Sequence, residues 1–170
     1  MKKQNILLLV LPVLILSSCI QPPDYPIEPV IEFVSLSKTT MVSGKSDEDE
    51  TLLTISFTDG DGDLGNFQNN GQIMLDMFLI DSRTGDFDEK FSIPFVPELG
   101  ASNGISGEIY ARIFTTCCIY PAYVTDAATG CDPSQQYPID TLTYEIYIVD
   151  RAGNESNHIF ADPIYILCDQ

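Results

Sequence analysis

Three aspartates at alternate positions, Asp59, Asp61 and Asp63, stand in the run Phe57-Thr-Asp-Gly-Asp-Gly-Asp-Leu-Gly65. The intervening glycines permit a tight turn that gathers the carboxylates, whose charges then repel one another. A hard divalent cation taking roughly six to eight oxygen ligands relieves that repulsion, and calcium is the natural candidate. A second acidic turn, Asp150-Arg-Ala-Gly-Asn-Glu-Ser-Asn157, offers Asp150 and Asn154 as further oxygen donors. The competing reading of the first turn is a set of solvated carboxylates, with the glycines serving positive φ angles. The separate run from Ser46 to Glu50 reads as a solvated loop, because consecutive like charges cannot all converge on one ion.

An EF-hand is excluded. Asp59, Asp61 and Asp63 match the first three ligand positions of that loop, but Leu64 stands where it needs glycine and Asn70 where it needs glutamate. Among catalytic constellations only a carboxylate pair of the kind used in glycoside hydrolysis stays open, and acids in turns are expected in so acidic a chain anyway. His158 is the only histidine, and no serine lies in a Gly-x-Ser-x-Gly elbow. The expectation is a protein that is not an enzyme.

The cysteines divide into two groups. Cys19 follows Lys2, Lys3, an apolar run from Ile6 to Leu16, and then Ser17 and Ser18. That is the layout of an export signal ending at a cleavage site. The apolar run is far short of the roughly 20 residues that span a bilayer. Residues 16–19, Leu-Ser-Ser-Cys, resemble the lipobox of bacterial lipoproteins. The resemblance implies a signal peptide over residues 1–18, removed before Cys19, and lipid on that cysteine as the link to a membrane. One acyl chain holds a protein only marginally, so more than one is expected. Cys117, Cys118, Cys131 and Cys168 remain, an even number in a chain that leaves the cytosol, and disulfides follow. Adjacent residues of a strand point to opposite sides, so one of Cys117 and Cys118 is expected to pair with Cys131 and the other with Cys168. Adjacent cysteines also lack the spacing of a zinc site.

The elements that must position these residues follow from composition. Loss of residues 1–18 removes two lysines and leaves 6 basic against 25 acidic residues, a balance of −19 that repels phosphate backbones. Nucleic-acid binding is therefore not expected. Residues 19–29 hold four prolines and read as a semi-rigid tether. Residues 30–170 show short β-branched and aromatic runs broken by Gly, Asp, Asn and Pro, which predicts one all-β domain. Candidate strands are Ile31 to Ser37, Leu52 to Thr58, Ile73 to Asp81, Glu89 to Phe95, Gly107 to Thr116, Leu142 to Asp150 and Ile159 to Leu167. Seven strands point to a β-sandwich. Leu142, Tyr144, Ile146 and Ile148 should face the core, and Thr143, Glu145 and Tyr147 the wetter side.

Asp140, Leu142 and Tyr144 resemble the tyrosine-corner pattern of immunoglobulin-like domains, with Ile146 in place of the cysteine. That resemblance makes Leu142 to Asp150 strand F, with the Tyr144 hydroxyl bonded back to nearby backbone; the alternative is a plain core aromatic. It also places the loops after strands B and F at one end, so that the two acidic turns converge. Asp150-Arg-Ala-Gly-Asn154 resembles a signature of bacterial immunoglobulin-like and cadherin-like surface modules. With the aspartate turn and the lipobox, the chain is similar to uncharacterised lipoproteins of Bacteroidota. The resemblance implies an immunoglobulin-like antiparallel sandwich in the cell envelope, at the outer membrane, and no activity. It leaves open a protein or glycan partner. Tyr110, Tyr120, Tyr123, Tyr137 and Tyr147 could form a sugar-stacking platform, or the cysteine-rich segment could dock into a larger assembly.

Overall fold

A computed structural model describes residues 24–45, 48–66, 74–97 and 104–170. The expected signal peptide and lipidated Cys19 lie outside the described residues. Ten strands and no helix occur among them: β1 Val30–Leu36, β2 Thr40–Val42, β3 Glu50–Asp59, β4 Met77–Asp81, β5 Phe87–Phe91, β6 Ile105–Phe114, β7 Ile139–Leu142, β8 Tyr144–Ile148, β9 Ile159–Phe160 and β10 Ile164–Leu167. They form three sheets, ordered β1-β3-β6, β2-β10-β7 and β5-β4-β8-β9. Every pairing is antiparallel except β2 with β10, which is parallel. The fold is all-β and consistent with a sandwich.

The alternation read in the sequence holds where it was strongest. Leu142, Tyr144, Ile146 and Ile148 are fully buried, whereas Thr143, Glu145 and Tyr147 are half-buried. Leu53 and Ile55 of β3, Met77 and Leu79 of β4, and Ile113 of β6 join them in one apolar cluster. Each such side chain contributes about 1.5–3 kcal/mol on burial, which fixes the register of the strands that carry it.

Seven expected strands become ten because the last two are each divided between two sheets and β2 is added. At Thr143 the chain leaves β10, the partner of β7, for β4, the partner of β8, and Ser82 closes the break by donating its amide to the Thr143 carbonyl at 3.0 Å. The last expected strand breaks over Ala161-Asp162-Pro163, since Pro163 has no amide for a ladder. Pro94 likewise lies beyond the end of β5, so the expected Glu89 to Phe95 strand stops at Phe91. Strand β2 was not foreseen; it is three residues long and buries Met41 alone.

The irregular segment between β6 and β7 is held by Cys117–Cys131 and Cys118–Cys168, with Cα separations of 4.7 and 6.1 Å. This is the expected division of the adjacent cysteines between two partners. A buried ion cluster adds to it. The Arg83 guanidinium bonds to Asp81 at 2.7 Å, to Asp140 at 2.8 Å and to the Cys117 carbonyl at 3.3 Å. The expected bond from Tyr144 to backbone is not made: its hydroxyl donates to the Asp88 carboxylate at 2.5 Å. The ring is buried beneath a neighbouring side-chain acceptor, so the tyrosine-corner contact is corrected to a cross-strand one.

Candidate metal centre

Strand β3 delivers the first aspartate. Its residues alternate, and the parity that buries Leu53 and Ile55 carries on through Phe57 to Asp59, the last residue of the strand. A carboxylate is thereby forced inward at the end of an apolar row, and Asp59 is 0% exposed. The turn after it folds back at Gly62, whose φ of 72° suits glycine, and is fastened by fully buried Leu64. Carboxylate oxygens of Asp59, Asp61 and Asp63 then lie within 4.8 Å of one another. Asp63 is half-buried and Asp61 exposed, so the cluster has a dry floor and an open mouth.

What separates this cluster from an ordinary acidic turn is the state of its oxygens. Five aspartates are buried among the described residues: Asp59, Asp76, Asp81, Asp140 and Asp150. Asp76 accepts from the Ile93 amide, Asp81 and Asp140 from Arg83, and Asp150 from Asn154. Both oxygens of Asp59, together with Oδ1 of Asp63, have no hydrogen-bond partner in the protein. Burial, then Asp61 and Asp63, push the Asp59 carboxyl up to about 6, with the nearby Gly62 amide offsetting a little of that without a well-formed bond. Asp63 is raised by burial, then by the charges of Asp150 and Asp61, against the opposing pull of Arg151. A charged carboxylate left unpaired on such a floor costs several kcal/mol. An acidic triad of this geometry could hold a metal ion.

The second acidic turn does meet the first. The Arg151 amide donates to the Asp63 carbonyl at 3.3 Å, and its guanidinium donates to the carbonyls of Leu64 and Gly65, both at 3.0 Å. Asp150 and Asn154, the other expected ligands, stand differently. Asp150 accepts the Asn154 backbone and side-chain amides, both at 2.8 Å, and closes its own turn around Gly153. It faces Asp63 as a neighbouring charge and lies outside the tight group of three. Arg151, unassigned in the sequence reading, is the residue that ties the turns together. Its signal was a lone basic residue inside an acidic turn.

The remaining expected sites disperse. Glu48 and Glu50 are exposed, as befits a solvated run, but Asp49 turns in to accept the Val42 amide at 3.0 Å and to pair with Lys38. The five tyrosines do not gather in one place, although exposed Tyr123 and half-buried Tyr120 both neighbour Tyr137. Tyr120 and Tyr137 meet edge to face at 6.0 Å, Tyr147 stacks between Phe78 and His158, and Tyr110 lies on β6 of another sheet. No protein-family model, curated protein or solved structure matches the chain.

Proposed function

We propose that this protein is a lipid-anchored, non-catalytic module of the cell envelope, an immunoglobulin-like domain whose membrane-proximal end is stiffened by calcium in the Asp59–Asp61–Asp63 cluster. The observation that carries the reading is the Asp59 carboxylate, wholly buried with both oxygens unpartnered beside two more carboxylates. Calcium is preferred over magnesium because an irregular, all-oxygen group on a turn tolerates calcium's variable geometry, whereas magnesium demands a near-ideal octahedron. The lipobox-like Leu-Ser-Ser-Cys19 supports the anchor. Strand order supports the immunoglobulin-like assignment. Taken as A, B and E, β1-β3-β6 makes one face, and β5-β4-β8-β9 makes the other as C′, C, F and G. A non-catalytic role fits His158, whose two ring nitrogens are both engaged by glutamates.

Calorimetric titration of calcium into the purified protein and an Asp59→Asn variant tests this. The parent should bind saturably and the variant should not. Without calcium the variant should be the more stable of the two by about 1–3 kcal/mol, because an unpaired buried charge has gone. Absence of binding at millimolar calcium would overturn the cation site and leave Asp59 as a buried carboxyl without a ligand.

A further inference from the structure

Residues 24–29, the described part of the expected tether, lie against the aspartate turn. The Gly60 amide, between Asp59 and Asp61, donates to the Pro26 carbonyl at 2.8 Å. A Cβ on Gly60 would come within 2.4 Å of the Tyr25 carbonyl oxygen and 2.5 Å of that of Pro26. Gly60 is not among the glycines with positive φ, so it is spared a side chain for room and not for backbone freedom. The Tyr25 ring covers a second glycine in the same way: a Cβ on Gly104 would stand 2.7 Å from Tyr25 Cδ2 and 3.0 Å from the Asp59 carbonyl oxygen. Pro29, at the far end of the segment, is buried. The tether thus crosses two glycines that flank Asp59.

We propose that cation binding at the aspartate turn and docking of this tether are one coupled equilibrium, so that the ion locks the link between anchor and domain. This rests on the reading of the turn as a cation site. The docking bond comes from the Asp59–Gly60 peptide, the first of the two that link the Asp59 and Asp61 carboxylates the ion would draw together. Without the ion, repulsion between Asp59 and exposed Asp61 would push the turn apart at Gly60 and weaken the hold of its amide on Pro26. A proline-rich segment is stiff before it docks and loses little conformational freedom in doing so. Linkage is reciprocal, so docking strengthens cation binding by the factor with which the cation strengthens docking. With the ion the domain stands at a fixed attitude to its anchor; without it, the domain hangs on a loose chain.

Calcium titration and hydrogen exchange on the full chain in detergent test the coupling, using the parent, Gly60→Ala and Tyr25→Ala. Calcium should slow exchange of the Gly60 amide in the parent. Each variant should bind calcium about fivefold or more weakly, the lower end of typical coupling between sites. Gly60→Ala acts through the clash with tether backbone. Tyr25→Ala removes a half-exposed ring and leaves core and turn untouched, so its result stands even if Gly60→Ala misfolds. Parent-like affinity in Tyr25→Ala, or exchange at Gly60 unchanged by bound calcium, would overturn the coupling while leaving the cation site intact. A parent that binds no calcium overturns both.

Discussion

His158 is held from both ring nitrogens, with Nδ1 2.7 Å from Glu145 and Nε2 2.9 Å from Glu155, and its ring lies on Tyr147 at 4.6 Å between centroids. Two carboxylate acceptors require both nitrogens to donate, so the geometry selects the imidazolium. The bonds to Glu155 and Glu145 raise its pKa above the ordinary 6.5, against a smaller opposing effect of burial. A cation favoured in the folded state contributes stability that is fully present below the unfolded pKa, near 6.5, and is lost as pH rises through the folded value. The site is open to solvent, so its worth is roughly 0.5–1 kcal/mol. Thermal melts of the parent and His158→Gln should therefore differ most just below the unfolded value of 6.5 and converge as the pH rises through the raised folded one. A gap that does not change with pH would show that the ring acts by stacking alone.

Among the elements, the segment between β6 and β7 is held by cross-links and ion pairs in place of a strand ladder. Its two disulfides close loops with separations of 14 and 50 residues. Arg83 joins the turn after β4 to Asp140 at the start of β7, with all three charged side chains less than a tenth exposed. Arg83→Met would leave Asp81 and Asp140 buried without their cation, at a cost of about 3–5 kcal/mol. Denaturant unfolding with both disulfides intact should show that loss, and one below about 1 kcal/mol would mean that water reaches the cluster. The cluster also marks the limit of what the sequence could disclose. Alternation in Leu142 to Ile148 and the opposed directions of Cys117 and Cys118 are local, and both were legible. So was the gathering of Asp59, Asp61 and Asp63, which needs only a glycine-permitted turn. Arg83 meeting Asp140 across 57 residues, β2 lying parallel to β10, and Pro26 closing on Gly60 are products of tertiary approach, with no local periodicity to announce them. Arg151 falls between: its residue type was visible, but its reach to Leu64 and Gly65 was not.

At the scale of the whole molecule, charge and anchorage pull against each other. On the proposed reading, the chain left after removal of residues 1–18 has 25 acidic and 6 basic residues, is repelled by anionic lipid and has no electrostatic signal to add to its acyl chains. Among the described residues no helix is long and apolar enough to cross a membrane. In the proposed lipoprotein, attachment falls on the lipid at Cys19, through apolar forces worth about 0.8 kcal/mol for each buried methylene. Two consequences follow for fractionated cells. Molar salt screens charge to within about 3 Å and would strip a protein held electrostatically, yet it should leave this one with the membranes until detergent is added. A Cys19→Ala substitution removes the acceptor thiol and should move the folded chain to the soluble fraction, or leave it as an uncleaved precursor held by its apolar leader. The size of the product distinguishes those two. A cleaved Cys19→Ala chain that still sediments with membranes would show that the domain itself binds the envelope, and attachment would then have to be sought on its folded surface.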